Sequence, residues 1–486
     1  MRVRALALIP LFAALTACGR GGDGAVEVAV IGSPEEMFAA GSRLAPPAQL
    51  VRGATAQGLV RLDEAGQLVP GIAERWIVTD GGASYIFRIR ETTRPGGRKL
   101  DARAVQQALT RTIRGLSGTS LGLDLAQVRD IRAMTGRVIE IRLKSAMPGF
   151  LQLLAQPELG IVSDGNSAGP MALARVGDTA VLTALPPEAR GLPSQPDWGD
   201  DVRVVRVRAV DAVAATRDFS DGRYSLLLGG TLASLPLANV GPLSRGTVRL
   251  DSALGLFGLD IARATGFLAD ADNREALALA LDRNALIRPF NIGGWVPTTR
   301  IVAPNLPDGS DAVPERWEDI ALDDRRGAAR ARVARWASGS SVKVVLSIAL
   351  PDGPGSDTLF AGLGEQWGEI GISLVRVPAG TKADLVLRDR VARYAGAAWF
   401  LNQFNCRIAP ALCSEDADFL VQQAIAAPGP QQAALFAEAE RALASTNRYI
   451  PIGAPIRWSL VRAGVTGFGE NAWAIHPLFP LSHAPI

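Results

Sequence analysis

The spacing of hydrophobic positions changes period several times along this chain, and each change marks an element. In AVEVAVIG, residues 25–32, Val26, Val28 and Val30 alternate with Glu27 and Ala29, which predicts a first strand. In the block 58–90, Trp76 and Val78 fall on one face of a strand, and Tyr85, Phe87 and Ile89 alternate along another. Asp80-Gly81-Gly82 between them tolerates positive φ, so the block predicts a hairpin. The period then lengthens. Over residues 101–113, Val105, Leu109 and Ile113 share one helical face behind the N-cap candidate Asp101. RVIEIRL, residues 137–143, alternates again. Residues 163–200 are rich in Gly, Pro and Asp and predict long loops. RVVRVRAV (203–210), a short helix and GRYSLLLGG (222–230) restore an α/β pattern.

A second compact region is predicted from about residue 255. ADNREALALALDRNALI, residues 271–287, is apolar on most faces and reads as one buried helix. VKVVLSIAL (342–350), SDTLFAGLGEQWGEI (356–370) and GISLVRV (371–377) read as strand, helix and strand. Leu359, Leu363 and Trp367 line one face of that helix, and Gly371 stands where a C-cap glycine belongs. The unit predicts two parallel neighbouring strands with a right-handed crossover. A late helix over 431–445 precedes NRYIPIGAPIRWSLV, which reads as one strand with prolines at its edge.

Composition narrows the class. The 486 residues suggest two or three domains, and 48% hydrophobic with 20% charged residues excludes a disordered chain. A formal net charge of +3 with no basic block argues against nucleic acid as a partner. Arg2 and Arg4 precede the apolar run ALALIPLFAAL, residues 5–15, which is too short to span a membrane and has the layout of a secretory signal. Leu15-Thr16-Ala17-Cys18 resembles the bacterial lipobox, in which cleavage leaves the cysteine first and lipid joins its thiol. The alternative is an ordinary signal peptide with an incidental cysteine. GRGGDG, residues 19–24, reads as a flexible tether. In an exported chain, Cys406 and Cys413 either form a short disulfide loop or stay as two thiols. Their spacing does not suit zinc, and His476 and His483 are the only imidazoles, so neither a metal site nor a cofactor is expected.

Catalytic motifs are weak. GTSLG, residues 118–122, fits the G-x-S-x-G elbow, but a helix precedes Ser120 where that geometry needs a strand. Asp323-Asp324 and Glu35-Glu36 are adjacent pairs that do not converge, and DADN, residues 270–273, reads as a helix cap. No enzyme is expected.

Four blocks in order carry a resemblance. GLVRLDEAGQLVPGIAERWIVTDGGASYIFRIR with KLDARAVQQAL, AGPMAL (168–173), DNREALALALDRNALI and AEAERALASTNRYIPI together resemble the peptide/nickel class of extracytoplasmic solute-binding proteins, family 5, in a divergent form. The resemblance implies an α/β, two-lobed periplasmic-binding-protein-like fold of type II, with an extra subdomain in the first lobe. It implies a signal peptide at 1–18, a tether at 19–24, lobe one at 25–250 with the subdomain at about 50–150, lobe two at 255–455, and a return to lobe one at 456–486. It also implies a monomer on the periplasmic side of a bacterial membrane, held there by lipid on Cys18, that delivers a small molecule or short peptide to ABC importer permease subunits. Gly19, rather than Asp, after the cysteine allows sorting to an outer membrane where one exists. The alternative is a lipoprotein that keeps the fold without import, as a sensor, scaffold or chaperone-like factor.

In peptide-binding relatives a W-x-x-D-like segment presents an Asp to the peptide ammonium. Here AAWFLNQFNC, residues 397–406, keeps Trp399 but places Asn402 at the acid position. A carboxamide cannot neutralise a buried ammonium. Trp399, Asn402, Gln403 and Asn405 are therefore the candidate ligand wall, with no free amine expected at Asn402. Two alternatives stand beside it: Trp399 as plain core, or a shifted alignment in which Asp416 or Asp418 supplies the charge.

Overall fold

The computed structural model describes residues 24–92, 100–163, 166–239, 246–308, 313–340 and 343–484. Cys18 and the segment around it lie outside these residues.

Two sheets organise the chain. In the first, seven strands lie in the order Met171–Val176, Thr179–Ala184, Val205–Val210, Val26–Ile31, Leu226–Thr231, Arg457–Val461 and Val248–Asp251. Val26–Ile31 is central and parallel to both neighbours. It is buried along nearly its whole length, which is why valines and alanine fill it. The second sheet runs Ile372–Pro378, Val344–Leu350, Leu385–Val391, Gly255–Ile261 and Tyr449–Gly453. Its first two strands are parallel and joined by the helix Pro354–Gly368, as the strand–helix–strand reading predicts. Leu359, Leu363 and Trp367 of that helix are buried, and the Trp367 indole N–H donates to Leu277 O at 2.9 Å.

A four-stranded antiparallel sheet, Ala73–Thr79, Ser84–Ile89, Val138–Leu143 and Val128–Thr135, forms the added subdomain. Helix Ala102–Gly115 packs Val105 and Leu109 into the same core as Phe87, Ile89, Ile139 and Ile141. Asp101 caps it, accepting from Ala104 N–H at 2.8 Å.

Three sequence expectations are corrected. Within the expected loops, Met171–Val176 and Thr179–Ala184 form a hairpin around the two-residue Gly177-Asp178 turn, with Gly177 at φ +59. The single helix expected over 271–287 breaks into Ala271–Leu279 and Arg283–Ile287. Asp282 ends the first by capping the second: its carboxylate accepts from Ala285 N–H at 3.0 Å. The single strand expected over 447–461 is two strands in two different sheets.

That last correction locates the hinge. The chain leaves the first sheet at Val248–Asp251 and enters the second at Gly255–Ile261. It returns from Tyr449–Gly453 to Arg457–Val461. The departing and returning strands pair with each other on both sides, so the two crossings run side by side. Gly255, at φ +154, is required there: a Cβ would lie 2.0 Å from Arg390 O.

Candidate functional site

GTSLG is the start of a short helix. Thr119 caps Ser120–Leu125, its hydroxyl accepting from Gly122 N–H at 3.0 Å. Ser120 is thus the first residue of a capped helix, away from any strand end. The same helix carries Asp124, which is 2% exposed. Its Oδ1 accepts two hydrogen bonds from the second lobe: Asn402 Nδ2 at 2.8 Å and the Tyr394 hydroxyl at 3.0 Å. Its Oδ2 is buried with no partner. Burial pushes the Asp124 pKa up to about 7, against the downward pull of those two bonds. Burial, and then Asp124 itself, holds the Tyr394 phenol well above its ordinary value.

These groups line a cavity of about 40 Å³ between subdomain and second lobe. That is room for about three waters at roughly 10–15 Å³ each on the same measure. Asp308 enters from the other side. Its Oδ2 accepts from Ala397 N–H at 2.6 Å, at the start of helix Ala397–Asn402, while its Oδ1 is buried and unpartnered. Burial raises its pKa too. Leu123, Met147, Ile425 and Phe436 supply apolar wall, and Gln127 and Gln432 supply amides.

Around this cavity the lobes are in contact. Arg393 donates to Gln156 Oε1 at 2.7 Å and to Glu158 Oε1 at 2.9 Å. Gln156 returns a bond to Arg393 O at 2.9 Å, and Ala395 N–H donates to Gln152 Oε1 at 3.1 Å. Gly149 backs onto the Tyr394 ring, where a Cβ would lie 2.6 Å from Cδ2. One apolar cluster runs through from Phe87 and Phe150 to Trp399, Phe400 and Phe404.

Of the four residues expected to form the ligand wall, Asn402 reaches the cavity. Trp399 is 3% exposed and packs edge-on against Phe400, 5.0 Å between ring centres. Gln403 donates to Trp399 O at 3.0 Å and accepts from Arg390. Asn405 Oδ1 accepts from Arg407 N–H at 3.0 Å. Asp418 accepts from Cys406 N–H at 2.9 Å and so braces the loop, while Asp416 sits exposed in a helix's first turn. Cys406 and Cys413 are joined as a disulfide, with Cα atoms 5.2 Å apart. His476 is buried against Asp251, 3.1 Å away. Among the described residues no cluster of His, Cys, Asp and Glu could hold a metal, and no helix is long and apolar enough to cross a membrane.

Sequence reasoning missed Asp124, Tyr394 and Asp308. The capped start T-S-L-G-L-D was visible, but nothing local tied it to a residue 278 positions away.

Two α/β lobes, two strand crossings and a cavity closed from both sides define a binding protein of the two-lobed periplasmic type. Comparison agrees. The family described as "Bacterial extracellular solute-binding proteins, family 5 Middle" matches residues 67–405, and the chain belongs to that family. It is 21% identical over 348 residues to the dipeptide-binding protein of Escherichia coli K12, spanning 63% of this chain and 62% of that one. It is 29% identical over 121 residues to the probable deoxycholate-binding periplasmic protein YgiS of the same organism, 21% of this chain and 23% of the relative. Each curated relative is thus matched over less than two thirds of its length. The fold is similar to that of Haemophilus influenzae OppA, solved in complex with RPPGFSPFR: TM-score 0.79 at 17% identity, covering 95% of this chain and 100% of that one.

Proposed function

We propose that this chain is the lipid-anchored solute-binding component of an ABC importer. It captures a peptide-like or other small organic solute between its lobes by hinge closure and presents the closed form to permease subunits. The observation that supports this most is the cavity itself. Asp124 comes from one lobe, Tyr394 and Asn402 from the other, and hydrogen bonds join them where the lobes meet. A ligand that bridges the lobes stabilises the closed form by its differential affinity for that form. Family membership and the relatives named as dipeptide- and deoxycholate-binding support the solute class. Lipid on Cys18 holds the protein at the periplasmic face of its membrane, and bacterial lipoproteins carry several acyl chains there, which makes such a tether stable.

Asn402 spends its amide on Asp124 and brings no charge of its own, so the W-x-x-N segment does not anchor a free peptide amine by itself. Native mass spectrometry of the protein, before and after mild denaturation, is the direct test, joined to small-angle scattering with the identified solute. A released adduct of defined mass, with a scattering radius that falls on its return, is the expected result. A ligand-free protein that no peptide, sugar or metal-chelate pool compacts would shift the reading to a lipoprotein that keeps the fold without import.

A further inference from the structure

The cavity holds two carboxylates and no compensating cation. Asp124 Oδ2 and Asp308 Oδ1 are both buried without a hydrogen-bond partner, and both residues line it. Among the described residues lining it there is no Arg or Lys. Asp124 leans on neutral donors alone, an amide and a phenol. A buried carboxylate in that setting needs either a proton or a cation. Both residues line the space that the lobes enclose, so a partner other than a proton would be held there.

We propose that this cavity is a subsite for an organic cation, in which Asp124 of the first lobe and Asp308 of the second close around one ammonium or guanidinium group on a short apolar stem. Leu123, Met147, Ile425 and Phe436 take the stem. The inference rests on the solute-binding reading and narrows its solute. An anionic group fits poorly there, because it would meet two acids and no base. The charge absent at Asn402 is supplied across the cleft, and Asn402 positions it. A cation at Asp124 Oδ2 has to displace a proton when the pH is low. The groups around Asp124 are Asn402 from helix Ala397–Asn402, Tyr394 from the strip before it, Asp308 across the cavity, and Gln127 on the turn after its own helix. Cation affinity therefore climbs with pH up to about 7, where the Asp124 proton is lost, and levels above it.

Propylammonium chloride and its neutral isostere 1-propanol are the probes, titrated to about 50 mM into the purified protein at fixed ionic strength and followed by saturation-transfer NMR. The expected result is saturable propylammonium binding at least about tenfold tighter than that of 1-propanol. Its affinity should rise about tenfold per unit between pH 5 and 6.5, and D124N should lower it at least about tenfold, D308N less. If D124N does not fold, the wild-type pH profile and the propanol control still decide. Equal binding of the two probes, pH-independent binding, or no saturable binding of either would overturn the proposal. Compaction around an anionic solute, with no propylammonium response, ends this inference and leaves the importer reading standing. Propylammonium saturation with no compaction by any solute does the reverse.

Discussion

Two places join the lobes, and they treat buried charge in opposite ways. At the hinge Asp251 and Asp389 each meet strong donors. Asp251 accepts from Asn471 N–H at 2.9 Å on one oxygen and meets His476 on the other, while Asp389 takes the Arg457 guanidinium at 2.7 Å. At the cavity, Asp124 and Asp308 each keep one buried oxygen bare. The hinge acids find their donors within the chain itself. The cavity lies where the two lobes meet, and no described side chain donates to these two oxygens. Unpartnered buried polar atoms occur elsewhere in the chain, His476 Nδ1 at the hinge among them, but at the cavity two carboxylates that line one enclosed space each carry one.

The largest break in this comparison should come from the hinge backbone. Gly255→Val forces a β-branched residue to φ +154 with its Cβ against Arg390 O, and should cost at least about 3 kcal/mol in urea unfolding. Asp251→Leu strips Asn471 N–H and the His476 ring of their acceptor, and should cost about 2.5 kcal/mol by the same measurement. The cavity should respond with the opposite sign. The Asp124 pKa is raised from 3.8 to about 7, so the folded chain holds this proton more tightly than the unfolded one. Its contribution to stability therefore falls as pH rises between those values and is least favourable above about 7. Asp124→Asn should stabilise the ligand-free protein by about 2 kcal/mol at pH 8, and the gain should disappear below about pH 4. A D124N variant less stable than wild type at pH 8 would remove the contrast. The smallest effect is the sharpest probe. Tyr394→Phe deletes one donor to Asp124 Oδ1 and should cost about 1 kcal/mol at pH 8, moving the carboxyl titration, followed by carbon-13 NMR, upward.

Much of the scaffold was legible because its signals are local. The Asp101 cap, the hairpin about Asp80-Gly81-Gly82 and the strand–helix–strand around Leu359, Leu363 and Trp367 are each written within a short window. The hairpin about Gly177-Asp178 was equally local, and was masked by a Gly- and Pro-rich surrounding. The break at Asp282 shows one capping carboxylate outweighing a continuous apolar pattern. The site was less legible. The W-x-x-N segment pointed to Asn402, but Trp399, Gln403 and Asn405, its neighbours in sequence, turn into the protein, because a short buried helix presents only one face to a cleft.

By itself, then, the sequence determined the elements and the order of family motifs, since hydrophobic periods, caps and turn residues act over a few positions. Tertiary structure alone decided that residues 449–461 belong to two sheets, because a strand's partners are not encoded in its alternation. It also decided that Asn402 faces an aspartate instead of replacing one. Asp124 and Asn402 are 278 residues apart, and only the packing of a subdomain against the second lobe places one carboxylate oxygen between two donors and leaves the other bare.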